Sequence, residues 1–168
     1  RESFGLCFTN GKHYSEFLLE KYPELKKLEN GKVCDRNFQQ IGSHKGFPFY
    51  TIGQYKGLDL KERLYINRII AEENMLIVGE KSECYFSTLR LNSLVFSQNI
   101  ENVKLNTQYL TKIRGKDEGN FATLREISSN HSIIEFSQRV FAPMQGQDVV
   151  VYDENNFILF GGRIEAFS

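Results

Sequence analysis

Residues 133–141 read IIEFSQRVF. In an extended chain successive side chains point to opposite faces, so Ile134, Phe136 and Val140 fall on one side and Glu135, Ser137 and Arg139 on the other. A helix would instead repeat its apolar residues at three and four residue steps. The stretch is therefore read as a strand with one buried face, and the rest of the C-terminal half follows it. Tyr85–Phe96, Thr107–Arg114, Phe121–Ile127, Asp148–Tyr152 and Phe157–Ile164 are further extended segments, separated by Asn, Gly and Asp. Such even spacing predicts an antiparallel barrel or a sandwich. Val149, Val150 and Val151 run together, as in a strand covered on both faces.

The N-terminal half is less regular. Tyr14, Phe17 and Leu18 recur at helical spacing within Lys12–Tyr22, and Pro23 stops the pattern. Either Asn10-Gly11 or Ser15 supplies the start signal. A second short helical turn is expected over Glu24–Leu28, ending at the Asn30-Gly31 turn. Lys32–Asn37, Gln39–Ile41 and Phe49–Ile52 read as short extended pieces. Arg63–Ala71 and Met75–Val78 read as a hairpin across Glu72-Glu73-Asn74.

Composition sets bounds on partners. The 168 residues are 40% apolar and 25% charged, the signature of a soluble globular chain. Lys plus Arg equals Asp plus Glu at 21 each, so any nucleic-acid contact must use a local patch and not a bulk basic field. Three cysteines, at 7, 34 and 84, match no zinc spacing and leave one over in any disulfide scheme, which points to a reducing, cytoplasmic compartment and no metal. No membrane span or secretory signal is expected. The chain starts at Arg1 and not at Met, which suggests a fragment of a longer protein.

Three segments are candidates for chemistry. Residues 102–116 hold Lys104, Lys112, Arg114 and Lys116 without an acidic residue, and on a strand the last three would share a face able to follow a phosphate backbone. A solvated barrel wall is the plainer alternative. Residues 44–58, HKGFPFYTIGQYKGL, carry glycines whose spacing matches neither the phosphate loop nor the dinucleotide fingerprint, so this segment reads as a structural loop, with His44 lacking an obvious partner. Cys34 and Cys84 lie in extended segments and read as small buried hydrophobes. Cys7 follows Gly5 ahead of a helix, where backbone amides would lower a thiol pKa and permit reactivity.

Five stretches then carry a resemblance: SFGLCF at 3–8, NGKHYSEFL at 10–18, GSHKGFPFYTIGQYKGL at 42–58, TKIRGKD at 111–117 and GQDVVVYDENNFILFGG at 146–162. In this order they resemble the tRNA-specific 2-thiouridylases of the MnmA/TrmU type. The resemblance implies a mainly β fold with one short N-terminal helix, in which a small linking β domain precedes a six-stranded antiparallel β-barrel. It implies residues 1–12 as the tail of a nucleotide-binding domain, 13–83 as a central linking domain and 84–168 as the barrel. The implied activity is ATP-dependent 2-thiolation of the wobble uridine of tRNA, with Cys7 as the persulfide carrier and Arg114, Gly115, Lys116 and Gln147 as tRNA contacts. ATP with magnesium would belong to a domain outside this chain, so the chain holds no cofactor and alone is inactive. Implied partners are the anticodon arm of tRNA and a sulfur-donor protein or cysteine desulfurase relay, with no membrane. Three positions depart from the family pattern: Tyr55 stands where arginine is usual, Gly115 where an aromatic residue is usual, and Gln145 where proline is usual. The competing reading is a free-standing RNA-binding β-barrel with a structural Cys7.

Overall fold

A computed structural model describes residues 13–97, 103–115 and 118–168. The chain divides into two compact units, Arg1–Cys84 and Tyr85–Ser168. None of the described helices is long and apolar enough to cross a membrane.

The first unit opens with helix α1, Tyr14–Lys21. His13 is its cap, since its ring accepts the Ser15 N–H at 3.4 Å and bonds the Ser15 hydroxyl at 2.7 Å. Ser15 therefore lies inside the helix, and Asn10-Gly11 lies outside the described residues. Glu16 in the first turn and Lys21 in the last both complement the helix dipole. Pro23 begins a 3-10 turn over Pro23–Leu28, a position where its missing N–H costs nothing.

Four strands follow: β1 (Gly31–Cys34), β2 (Gln40–His44), β3 (Tyr65–Ile70) and β4 (Met75–Gly79). They form one sheet in the order β2-β1-β4-β3, with β1 parallel to β4 and the other pairs antiparallel. The β3–β4 hairpin expected from the sequence forms, turning through Ala71–Glu73 and the left-handed Asn74. β1 stops at Cys34, short of the expected Asn37, because the Asp35 carboxylate accepts the N–H groups of Asn37 and Gln39 and closes a turn. Phe49–Ile52 is not a strand. Pro48 lies within a 3-10 turn, Phe47–Phe49, and Gly46, Gly53 and Gly57 all take positive φ, so the chain coils across the sheet. Its Phe47, Phe49, Ile52 and Leu58 cover Val33, Ile66, Leu76 and Val78.

The second unit is a closed barrel of β5 (Tyr85–Phe96), β6 (Gln108–Lys112), β7 (Asn120–Ile127), β8 (His131–Phe141), β9 (Asp148–Tyr152) and β10 (Ile158–Phe167). Its strand order is β10-β5-β8-β7-β6-β9, with every pairing antiparallel. Leu89, Leu91, Leu124, Ile134, Val149 and Phe160 fill the interior. Ile134, Phe136 and Val140 point inward as their alternation required. Phe86 pairs with Val140 while Thr88 pairs with Glu135, so β8 bulges over residues 136–139 and Gln138 is exposed beside Ser137 and Arg139. Val150 is half-buried between two buried valines, so β9 alternates and is not covered on both faces.

Candidate nucleic-acid interface at one end of the barrel

On β6 the side chains of Tyr109 and Thr111 turn inward and Lys112 turns outward. The Lys112 ammonium sits 5.6 Å from the centre of the Tyr152 ring. The strand ends there, two residues before Arg114. Ile113 is buried, and the chain then bends. The expected row of three cations along one strand is therefore not formed: only Lys112 is a strand residue, and Lys116, like Cys7, lies outside the described residues.

Arg114 reaches across to the end of β8. One terminal nitrogen, Nη2, donates to the carbonyl of Phe141 at 3.2 Å and also to that of Ala142. Ala142 is buried with φ 48°, an uncommon backbone state for a residue with a Cβ, and the guanidinium fastens the chain at that point. A guanidinium has five donors, so the Nε and Nη1 hydrogens remain uncommitted among the described residues.

Gln147 serves the same connection. Its side-chain oxygen accepts the Met144 N–H at 3.1 Å, and its own N–H donates to the Met144 carbonyl at 3.2 Å. Gly146 has φ +83°, which a glycine adopts without strain, and its N–H donates to Ile164 at 2.8 Å. A Cβ at Gly115 meets nothing within 4 Å. Arg114 and Gln147 thus both bond the connection at 141–147, and Gly115 follows Arg114 in the chain.

The loop at 44–58 in the first unit is wired inward. The buried His44 ring donates through Nε2 to the Asn74 carbonyl at 3.1 Å and accepts the Gly46 N–H at Nδ1, 3.0 Å away. Both contacts fit a neutral ring, and burial holds its pKa below the ordinary value despite the two backbone contacts. Gly31 is required beside it, because a Cβ there would come within 2.2 Å of the ring. Asn74 also donates to the Leu28 carbonyl and accepts the Phe47 N–H. His44 and Asn74 form the organising pair that sequence reasoning missed. The signal lay in a left-handed asparagine closing a hairpin, visible only once the pairing was known. Tyr55, Arg63 and Tyr65 cluster, with the guanidinium 4.0 Å from the Tyr55 ring centre and 5.5 Å from that of Tyr65, and the two rings 5.2 Å apart. Cys34 and Cys84 are buried and free. Cys84 donates to the Ile66 carbonyl, and burial raises its thiol pKa, so it is the inert kind of cysteine.

A family profile described as the tRNA methyl transferase PRC-barrel domain matches residues 15–80. Over the whole chain the sequence is 33% identical to the tRNA-specific 2-thiouridylase MnmA of Chlorobium phaeobacteroides (strain BS1), covering 100% of this chain and 47% of that protein. The MnmA of Natranaerobius thermophilus is 34% identical over 97% of this chain and 44% of its own length. The MnmA of Cytophaga hutchinsonii is 31% identical over 98% of this chain and 45% of its own length. This chain is a relative of the tRNA-specific 2-thiouridylases. It spans about half the length of the 2-thiouridylases it matches. The PRC-barrel match falls on the four-stranded sheet of the first unit, whereas the closed barrel of this 2-thiouridylase relative is built from residues beyond it.

Proposed function

We propose that this chain is the tRNA-holding part of an ATP-dependent sulfurtransferase that 2-thiolates the wobble uridine of tRNA. Identity to 2-thiouridylases along the entire chain supports the reaction class. The observation that carries the barrel's share is that the side chains of Arg114 and Gln147 both bond the backbone of the connection at 141–147. Arg114 is anchored through one nitrogen, so its remaining donors can take a phosphate with little further loss of side-chain freedom. The Gln147 amide nitrogen and the open surface over Gly115 add polar contacts, and Lys116 adds charge. Such contacts position the anticodon arm without reading its sequence.

In this reading Cys7 carries a persulfide. A persulfide is more acidic than a thiol and is anionic at neutral pH, which suits its outer sulfur to attack C2 of the uridine after the C2 oxygen has been adenylated, with AMP leaving. A thiol from outside this chain then attacks the Cys7 sulfur, breaking the S–S bond to release the 2-thiouridine and leaving a disulfide on Cys7. A sulfur-donor protein or cysteine desulfurase relay loads it, in the cytoplasm. ATP and magnesium belong to a domain outside this chain. The glycine-rich loop at 44–58 does not fit them: the N–H groups of Gly46, Tyr50 and Gly53 are spent on His44, Phe47 and Ile66, leaving no cradle for a triphosphate. Burial likewise keeps Cys34 and Cys84 out of the sulfur relay.

In a longer enzyme carrying this chain, Cys7→Ser is expected to abolish 2-thiouridine formation, measured by mass spectrometry of digested tRNA, with tRNA affinity within about twofold of wild type. Thiouridine at the wild-type level would remove Cys7 from the mechanism.

A further inference from the structure

The barrel's outer wall carries a row of side chains that the Arg114 end does not use. Leu110 of β6 pairs with Phe121 of β7 on one side and with Tyr152 of β9 on the other, and Tyr152 pairs with Ile158 of β10. These residues face outward, because their chain neighbours Tyr109, Ala122, Val151 and Leu159 fill the core. Directly opposed side chains on adjacent strands lie about 5 Å apart, so four strands present one continuous apolar strip. Phe121 is 60% exposed, Ile158 51% and the adjoining Phe157 70%. A strip of this kind on a soluble domain marks a contact surface.

Beside it lies a cleft of about 520 Å³, lined among others by Leu110, Phe121, Tyr152, Lys104, Gln108 and Asn155. That is a size that takes a small ligand or one nucleotide. Its chemistry selects the occupant. Aromatic rings offer a stacking face, and Lys112 stands 5.6 Å from the centre of the Tyr152 ring. The loop carrying Lys104 is pinned by the Tyr109 hydroxyl, which accepts the Lys104 N–H at 2.8 Å. Gln108, steadied by its amide N–H on Ser137 at 2.8 Å, and Asn155 supply amides for a base edge. Asp153 and Glu154 also line the cleft. Asp153 is occupied in accepting the N–H groups of Asn155 and Phe157, and carboxylates at this rim disfavour a long phosphate run while accepting from base amino groups.

We propose that Tyr152 and Phe121 form a stacking platform for an unpaired RNA base, with Lys104 and Lys112 meeting its phosphates and Gln108 and Asn155 its edge. Sheet-borne aromatic rings flanked by cations and amides are how single-stranded RNA is gripped without reading a duplex. The inference rests on the reading that the barrel meets tRNA, and adds a second point of contact separate from Arg114.

The test uses an RNA hairpin with 2-aminopurine in its loop, titrated with the chain, because stacking on a side chain quenches this fluorophore. The wild-type chain should quench it saturably. Tyr152→Leu combined with Phe121→Leu, which keeps the wall covered but removes the rings, should abolish quenching and weaken binding at least about fivefold. Tyr152→Phe should behave as wild type, and Arg114→Ala should weaken binding while leaving quenching at saturation intact. Melting curves of the leucine variants establish that they fold. Binding that depends on Arg114 but never quenches would overturn this inference alone and leave the strip as a protein-docking surface. Wild-type quenching by a folded double-leucine variant would also overturn it, and a wild-type chain that binds no RNA would overturn both readings.

Discussion

The loop at 44–58 and the connection at 141–147 are both irregular, glycine-bearing segments with polar side chains, yet they dispose of their hydrogen-bonding groups in opposite ways. In the first, His44, Tyr50 and Gln54 turn inward: the Tyr50 hydroxyl donates to Gly57, and the Gln54 amide bridges Thr51 and Lys56. In the second, among the described residues, the Arg114 side chain commits one nitrogen and that of Gln147 its oxygen, both to backbone groups of the connection. Long coil laid across a sheet must satisfy its buried backbone groups somewhere, and the first loop uses its most distinctive side chains for that purpose. Distinctive sequence there reflects the demands of folding. The shorter connection leaves capacity for a ligand.

The largest effect that sharpens this contrast is expected at His44. His44→Ala would orphan the Gly46 N–H and leave the Asn74 carbonyl with only the Lys32 N–H, for a loss of about 1–3 kcal/mol confined to the first unit. Amide hydrogen exchange would report it at Val33 and Leu76, with the barrel strands unchanged. Wild-type protection in the first unit would mean that the loop is not held by this ring. The same ring sets an acid dependence. Its pKa is lowered on folding from 6.5, so below that value the unfolded chain binds more protons than the folded one. The first unit's stability should therefore be full above about pH 6.5 and fall as the pH drops beneath it, and His44→Ala should flatten that response. The smallest effect is expected at the barrel end. Gly115→Tyr enters open space, and should shift the melting free energy by no more than about 0.5 kcal/mol.

Much of the barrel was legible because its strands are half-buried and alternate, as in IIEFSQRVF, and β5 and β9 run from Tyr85 to Phe96 and Asp148 to Tyr152 as read. The β8 bulge and the early end of β6 were not legible: both depend on which residue stands opposite, and alternation says nothing of that. The first unit was read less well, because Phe49–Ile52 has the composition of a strand and only Pro48 and the positive-φ glycines divert it. Of the site, the residue identities at Arg114 and Gln147 were legible through resemblance. Their convergence on residues 141–147 was not, since it needs two loops distant in sequence to be brought to one end of a closed barrel. The outer row of Leu110, Phe121, Tyr152 and Ile158 is illegible in sequence for the same reason: these residues become neighbours only through register.

On the proposed function, the barrel end around Arg114 holds tRNA phosphate. Its most direct test is tRNA affinity across a range of salt concentrations for wild type and Arg114→Ala. Loss of one phosphate contact should weaken binding most at low salt and reduce the slope of log affinity against log salt by about 1. An unchanged slope with unchanged affinity would show that Arg114 serves only to fasten the end of β8 and does not meet tRNA phosphate.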